Sequence, residues 1–342
     1  MRYSVLGAFI ILFLSCATQQ KKPVNVDNSA DFTLAFGSCN KTDIPNLLWD
    51  DILKIKPDVW VWGGDNIYAD TDDMVKLKHM YAAQNKIDGY NALQNATTIL
   101  GTWDDHDYGL NDGGEEFSAK AESQKMFLDF MNVAKNDPLW KQEGIYTAKE
   151  FKLEEGTIKI IILDTRYFRT QLRPDTETGK RIKPNVYGEG TLLGETQWKW
   201  LEKELNETRS DFNVIVSSVQ FLSNQHGFET WGNFPHEVDR LKKRIAQSKA
   251  KGVIILSGDR HISEFSKTTV AGMEYPLIDF TSSGLTHAYK SFTGEPNPFR
   301  VGEVIFTESF GVLRFNFETS TIQFTIVGDN GEVLQELEQR YQ

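Results

Sequence analysis

Short apolar segments recur along the chain, and each one ends at a polar loop. Six of these segments are rich in β-branched and aromatic residues and are too short for helices, so the pattern predicts buried strands. The predicted strands cover residues 32–36, 58–62, 97–102, 158–163, 214–216 and 253–256. Helical periodicity at 44–56 and 119–135 indicates that helices alternate with these strands.

The nearly continuous apolar strands predict an α/β fold in which the sheets are covered on their faces. In such folds ligands gather beyond the carboxyl ends of the strands, so the loops after the six strands are the expected functional region. From residue 264 onward the pattern is mostly strand-like, including 311–317 and 322–327. The chain has 342 residues, enough for one large domain.

The first fifteen residues combine one early cation with an apolar run that is too short to span a bilayer, as in an export signal. Residues 13–16 (FLSC) resemble a bacterial lipobox, although Phe13 departs from the usual leucine or valine. We therefore expect residues 1–15 to be removed, Cys16 to carry lipid and residues 16–31 to form a flexible tether. The protein would then be anchored to a membrane on the periplasmic side or at the cell surface. An ordinary cleaved signal and an uncleaved anchor are the alternatives.

The net charge of −11 disfavours an exposed nucleic-acid groove, because such a surface would repel the phosphate backbone. An anionic substrate would need a local positive site. Residues 101–114 (GTWDDHDYGLNDGG) place four aspartates and one histidine directly after a predicted buried strand. Crowded carboxylates repel one another unless a cation lies among them. A bound cation is the simplest explanation, and a solvated turn or a structural calcium loop is the alternative.

The loops after the six strands supply residue types that bind metals and anions. Thiolate, phenolate and imidazole suit a trivalent or borderline transition metal, whereas carboxylate and amide oxygens suit a hard ion such as calcium. The sequence therefore predicts two unlike metal sites. Taken singly, each residue also has a structural alternative, such as core packing, helix capping or a salt bridge. The candidates are Cys39, Asp65, Tyr68, Asp104, Asp105, His106, Arg166, Gln220, Asp259 and His261.

Five motifs occur in a specific order: GSCN at 37–40, GDNIY at 64–68, WDDHD at 103–107, LDTR at 163–166 and SGDRH at 257–261. Together they resemble the alkaline phosphatase D (PhoD-type) family of the calcineurin-like metallophosphoesterase superfamily. The resemblance implies an α/β fold of two packed mixed β-sheets flanked by helices, a four-layer sandwich. It also implies that residues 32–342 form a single catalytic domain.

The resemblance implies a mixed centre of Fe(III) and Ca(II), dinuclear or larger. Asp65 would bridge the two kinds of cation, and Cys39 and Tyr68 would be iron ligands. His261 would complete the iron site. Carboxylates at positions where most relatives have softer ligands would favour calcium at the second site. The implied metal ligands are Cys39, Asp65, Tyr68, Asp105, Asp259 and His261.

The implied activity is hydrolysis of phosphate monoesters, diesters or both by a hydroxide that the cations activate. His106 would donate a hydrogen bond or a proton toward the leaving oxygen, and Arg166 would grip a non-bridging oxygen. Asn111 would reach the phosphoryl group or the second cation. We expect a monomer that acts on small phosphate esters.

Two alternative functions remain open at this point. One is a phosphodiesterase specific for nucleotides or phospholipid head groups, and the other is a non-catalytic calcium-binding surface lipoprotein. Segments 167–193 and 284–303 are candidate lids. His226 and His287 lie in loops that are candidates for the mouth of the pocket, and Gln220 has no assigned role.

Overall fold

The computed structural model describes residues 30–341, so the predicted export signal, Cys16 and most of the predicted tether lie outside the described residues. Among residues 30–341, no helix is both long enough and apolar enough to cross a membrane. The helices are α1 (Trp49–Ile55), α2 (Met74–Gln84), α3 (Asp88–Ala96), α4 (Asp105–Tyr108), α5 (Lys120–Phe130), α6 (Gly194–Glu207) and α7 (Pro235–Gln247).

The strands follow the predicted alternation in the first part of the chain and dominate after residue 263. They are β1 (Phe32–Gly37), β2 (Val59–Gly63), β3 (Thr98–Thr102), β4 (Thr147–Lys152), β5 (Thr157–Ile162), β6 (Arg173–Pro174), β7 (Ile182–Lys183), β8 (Phe212–Val216), β9 (Val253–Ser257), β10 (Ser263–Thr268), β11 (Leu277–Ser282), β12 (Arg300–Ile305), β13 (Ser309–Asn316), β14 (Thr321–Gly328) and β15 (Val333–Arg340).

These strands form two large mixed sheets and one small hairpin. The six-stranded sheet has the order β15-β14-β13-β1-β2-β3, and the seven-stranded sheet has the order β12-β10-β11-β9-β8-β5-β4. Pairing is parallel along β1-β2-β3 and along β5-β8-β9-β11, and the other pairs are antiparallel. Strands β6 and β7 pair only with each other. The predicted class, two mixed sheets with flanking helices, is confirmed.

Alternation along the strands explains why the sheets are covered on both faces. In β5, Ile160 and Ile162 belong to the core between the sheets, whereas Ile161 belongs to a second core beneath α6 and α7. Across the inner core, the rings of Phe36 in β1 and Phe280 in β11 have centroids 4.8 Å apart. The chain therefore forms helix, sheet, sheet and helix layers.

Two predicted helices are shorter than expected, and local side chains explain why. The helix predicted at 44–56 begins only at α1, because the Asn46 side chain accepts a hydrogen bond from Leu48 N (2.9 Å) and stabilises a turn instead. The helix predicted at 119–135 ends with α5, because Asn132 adopts a left-handed conformation (φ 53°) that stops the helix.

The carboxyl ends of the parallel strands from both sheets meet at one edge of the sandwich. The Thr102 hydroxyl, at the end of β3, donates to Leu163 O after β5 (2.8 Å), which joins the two sheets directly. A Cβ on Gly258, after β9, would lie only 2.5 Å from Gly63 O at the end of β2, so this close approach requires glycine. The six polar loops are thereby brought together.

Candidate functional site

Four of the six predicted metal ligands have a left-handed backbone. Cys39, Asp65, Asp259 and His261 have φ values of 60°, 51°, 69° and 55°. Such values are uncommon outside glycine and persist only where the surrounding structure holds them. Each of these residues follows closely after a buried strand, so the chain turns abruptly at the edge where the sheets meet. Backbone strain concentrated at these positions supports a functional role for this edge.

Cys39 and Tyr68 both contact one carboxylate oxygen of Asp65. The Cys39 thiol lies 3.4 Å from Asp65 Oδ2, and the Tyr68 hydroxyl lies 3.1 Å from the same oxygen. Ser283 Oγ lies 3.0 Å from the sulfur. Cys39, Asp65 and Tyr68 come from the loops after β1 and β2, which the Asn40 N–Asp65 O hydrogen bond (2.9 Å) holds together. A thiol, a phenol and a carboxyl group therefore converge on one point.

The thiol of Cys39 and the phenol of Tyr68 both have raised pKa values. Burial, opposed by the hydrogen bond from Ser283, raises the pKa of the Cys39 thiol to about 11. Burial, together with the charge of Asp65, raises the pKa of Tyr68 well above its usual value. A bound cation offsets such shifts, because it stabilises the thiolate and phenolate forms. The cysteine is free and fully buried, which protects it from oxidation by solvent species.

His261 lies beside this group and has one ring nitrogen available. Its Nδ1 lies 3.0 Å from the carbonyl oxygen of His287, so Nδ1 carries the proton and Nε2 keeps a lone pair. Its ring centroid is 6.3 Å from that of Tyr68. Burial lowers the pKa of His261, which favours the neutral form that binds metals.

Two compact sets of potential ligands occur in the described part of the chain. One consists of Asp65, Asp105 and His106, and the other consists of Asp104, Asp105 and Asp259; within each set the donor atoms lie within 4.8 Å of one another. Asp105 belongs to both sets. Cys39 and His261 belong to neither, although Cys39 contacts Asp65 directly.

A bound cation would stabilise both acidic sets. Burial, followed by the charge of neighbouring groups, raises the pKa of Asp65 and of Asp259 well above the usual range. One oxygen of Asp104, Oδ2, is buried and has no hydrogen-bond partner. A cation would remove both penalties, and a cluster of carboxylate oxygens suits a hard ion. The residues present therefore fit a bound metal ion.

His106 is bonded to a carboxylate at the edge of the site. Its Nδ1 lies 2.8 Å from the Asp70 carboxylate, and its ring packs against Tyr68 with centroids 4.1 Å apart. Burial opposes the charge, but the hydrogen bond with Asp70 and the charges of Asp65 and Asp105 raise the pKa of His106 to about 10. Sequence reasoning missed Asp70, whose only signals are its position two residues after Tyr68 and its acidic side chain.

Arg166 lies in a buried ion-pair network. Its side chain is fully buried, its Nε donates to Asp104 Oδ1 (2.6 Å), and its Nη1 donates to Glu229 Oε2 (2.6 Å). The guanidinium therefore lies between two carboxylates and beneath the site, where it has no exposed surface with which to grip a phosphoryl oxygen. Burial, opposed by Arg166, raises the pKa of Asp104 to about 7. Sequence reasoning missed Glu229, which lies outside the motifs.

Asn111 lies at the surface and contacts a predicted ligand. Its Nδ2 donates to Asp105 Oδ2 (3.1 Å), and its Oδ1 accepts from Arg181 (3.1 Å). Arg181 precedes β7 and also pairs with Asp112. The predicted lid segment 167–193 thus reaches the aspartate loop.

Gln220 and the two pocket-mouth candidates, His226 and His287, lie in different places. Gln220 donates to Glu264 and Thr281 (both 2.9 Å) and lies outside both acidic sets. His226 is buried and accepts a hydrogen bond from Phe228 N (3.1 Å). His287 is at the site itself, because its ring centroid lies 4.9 Å from that of Tyr68.

Comparison with known proteins gives consistent matches. A family model described as PhoD-like phosphatase matches residues 78–291. Alkaline phosphatase D of Bacillus subtilis (strain 168) is 22% identical in an alignment of 304 residues that covers 75% of this chain and 52% of that protein. The chain therefore spans about half the length of this curated relative.

Two solved structures resemble the chain over most of its length. A structure of PhoD has a TM-score of 0.70 at 17% identity, covering 93% of this chain and 70% of that one. A dimetal phosphatase from Danio rerio has a TM-score of 0.55 at 14% identity, covering 92% of this chain and 100% of that one. At these identities the two structural matches show a shared fold.

Proposed function

Because the chain belongs to the PhoD-like phosphatase family, we propose that it is a metal-dependent phosphohydrolase that cleaves phosphate monoesters, diesters or both. One observation carries the proposal: Cys39 and Tyr68 meet at a single oxygen of Asp65, and Asp65 also belongs to an acidic set. A calcium-binding surface protein without catalytic activity would have no use for a buried thiol and a phenol at this point.

We infer that the site holds Fe(III) and Ca(II) in a dinuclear or larger centre. When bound, these cations would polarise the phosphoryl group and lower the pKa of a water molecule for attack. The soft and aromatic donors support the iron assignment, and the carboxylates on the other side support calcium. Asp65 would serve both. The residues that would hold the cations are Cys39, Asp65, Tyr68, Asp105, Asp259 and His261.

His106 would supply the proton for the leaving oxygen. Because Asp70 occupies Nδ1 of the imidazolium, Nε2–H remains as the donor that can face a substrate. Close packing against the Tyr68 ring restricts the orientation of the imidazole. Asp70 is therefore a positioning residue for His106.

Arg166 would act on the site through Asp104. By pairing with Asp104 it opposes the effect of burial on the pKa of this carboxyl group and holds it in place next to Asp105. Asn111 would orient Asp105 from the other side through the hydrogen bond to Oδ2. Both residues would thus shape the second metal position from outside, and a phosphoryl contact is proposed only for Asn111, which is exposed.

The proposal includes export and a lipid anchor at Cys16, supported by the sequence of residues 1–16 alone. The full-length gene product expressed in a bacterial host with radioactive palmitate should be labelled and should fractionate with membranes. Cys16→Ala should abolish labelling. Release of unlabelled wild-type protein into the soluble fraction would contradict the anchor.

The phosphohydrolase proposal is tested by elemental analysis of purified protein together with monoester and diester assays. We expect iron and calcium, visible absorption from thiolate or phenolate bound to Fe(III), and hydrolysis of at least one ester class. Tyr68→Phe should shift or remove the absorption. An active preparation without iron would refute the iron assignment alone, whereas metal-loaded protein that hydrolyses neither ester would refute the activity.

A further inference from the structure

Lys41 lies against the site, and its backbone is fixed there. Its Nζ is 5.0 Å from the centroid of the Tyr68 ring, the same ring whose hydroxyl contacts Asp65. Its backbone N–H donates to Thr286 Oγ1 (2.8 Å), and the preceding residue donates to Asp65 O (2.9 Å). The ammonium group is therefore carried by a segment that the site's own hydrogen bonds hold in place.

The other cations around the site already have carboxylate partners. Arg166 pairs with Asp104 and Glu229, and Arg181 pairs with Asp112. Arg260, between the predicted ligands Asp259 and His261, pairs with Glu295 (2.6 Å).

Lys41 differs from these arginines. Within residues 30–341 it has no carboxylate oxygen within 4.0 Å, so its charge is available to a ligand. Beside an acidic site in a chain of net charge −11, this ammonium group offers a local positive charge to an anion. A lysine offers a compact point charge with three donors, which suits the terminal oxygens of a phosphate group.

We propose that Lys41 is a specificity-determining residue that binds the terminal phosphoryl group and makes the site prefer phosphomonoesters over phosphodiesters. The inference rests on the proposed phosphohydrolase function and extends it to a substrate class. A phosphomonoester carries close to two negative charges above neutral pH, whereas a diester carries one. An additional cation therefore stabilises bound monoester more than bound diester, since Coulomb attraction scales with the product of the charges.

The test compares Lys41→Met with wild type in the full-length, metal-loaded protein. Substrates are p-nitrophenyl phosphate and bis-p-nitrophenyl phosphate, and inorganic phosphate is the binding probe in calorimetry. We expect kcat/KM for the monoester to fall about tenfold, kcat/KM for the diester to fall less, and the Kd for inorganic phosphate to rise about tenfold. Lys41→Arg, which keeps the charge, should stay close to wild type.

A matched control removes the same charge elsewhere. Lys125→Met lies on the exposed side of α5 and should change none of these values. Metal content and the thermal unfolding midpoint of Lys41→Met should equal those of wild type, which separates a substrate role from loss of the site.

Three results would overturn the proposal: an unchanged Kd for inorganic phosphate in Lys41→Met, an equal loss for both esters, or a wild type that prefers the diester. Wild type that binds metal but hydrolyses neither ester would refute the phosphohydrolase function instead. Phosphate calorimetry would still decide whether Lys41 binds the anion, because that measurement does not need turnover.

Discussion

Arg166 and Asp104 form an ion pair in which neither side chain has any exposed surface. Glu229 extends the pair, since one of its oxygens contacts Arg166 (2.6 Å) and the other contacts Arg169 (2.9 Å). Two cations and two anions thus neutralise one another below Asp105. Moving single ions into the interior is costly, so these four charges are tolerated only as a set. The network gives the aspartate loop a rigid base.

Replacing Arg166 should therefore lower the stability of the fold, whatever its effect on activity. Arg166→Met leaves the carboxylates of Asp104 and Glu229 buried without their partner, and we expect the free energy of unfolding to fall by about 3–5 kcal/mol. Urea unfolding of metal-free protein measures the effect. Arg209→Met, at an exposed position, is the control and should change stability little. A loss below about 1 kcal/mol at Arg166 would mean that water or rearrangement compensates the network.

The turn after β2 should not tolerate a side chain at Gly64. This residue has φ +98°, and an added Cβ would lie 2.6 Å from the Cβ of Asp104 and 3.0 Å from that of Ser218. Gly179→Ala is a matched control, because its φ of +79° gives similar backbone strain while nothing lies within 4 Å of the new Cβ.

Comparing the two variants isolates the clash. We expect Gly64→Ala to be less stable than Gly179→Ala by about 2 kcal/mol in urea unfolding, since overpacking adds to strain. We also expect lower metal content only in Gly64→Ala, because Asp104 must move. Equal stabilities would show that the loop relaxes and that the close approach is not required.

We expect that Asp65 is needed to bind both iron and calcium, and that His106 is needed to bind neither. Asp65→Asn removes the carboxylate whose Oδ2 both Cys39 and Tyr68 contact. We therefore expect elemental analysis of the variant to find neither iron nor calcium. Asp73→Asn is the control, because Asp73 caps α2 at the surface and asparagine caps equally well. Full metal content in Asp65→Asn would contradict the bridging role.

His106→Ala is the complementary variant. Its imidazolium is bonded to Asp70, and in our proposal it serves the leaving group instead of the metals. We expect both metals to remain and kcat to fall by about 10²–10⁴-fold, which is typical of a lost general acid. Loss of a metal with His106→Ala would make His106 a ligand, as its membership of an acidic set allows.

Acid should destabilise the fold through His226, which is not among the predicted metal ligands. Burial, followed by the charge of Arg260, lowers the pKa of His226 from 6.5 to about 3, and Lys180 acts in the same direction. The folded state therefore holds the neutral imidazole. Its contribution to stability is fully present above pH 6.5 and is lost as the pH falls toward 3, by up to about 1.4 kcal/mol per pH unit.

The effect is measured as the difference in unfolding free energy between wild type and His226→Asn from pH 7 to pH 4. Asparagine can keep the acceptor for Phe228 N without titrating in this range. We expect a shallower acid loss in the variant, whereas His79→Asn at the surface should follow wild type. Parallel curves for wild type and His226→Asn would show that His226 titrates normally.

The strands were predictable because a strand that is buried on both sheet faces has consecutive apolar residues. Ile160, Ile161 and Ile162 are all apolar since adjacent residues enter different cores. Helix bounds were less predictable: the extension before α1 failed because a single side chain, Asn46, stabilises a competing turn. The export signal, the lipid at Cys16 and the tether stay predictions, since residues 1–29 lie outside the described part.

Within the site, the motif residues were found because each follows a predicted strand. Their partners outside the motifs were not found. Asp70 lies in a polar stretch, Glu229 lies in a loop after β8, and Ser283 follows β11. Nothing in their local sequence distinguishes them from ordinary polar surface residues. Each acquires its role from a contact with a residue 36 or more positions away.

The sequence alone determined which residue types stand at the strand ends, and therefore which chemistry is available, because strand burial and loop polarity are local properties. The tertiary structure decided which charge faces outward. Arg166 and Lys41 are both cations in strand-end loops, yet folding encloses the first between two carboxylates and leaves the second unpaired beside Tyr68. Charge pairing depends on distances between segments far apart in the chain, and only the packed sheets set those distances.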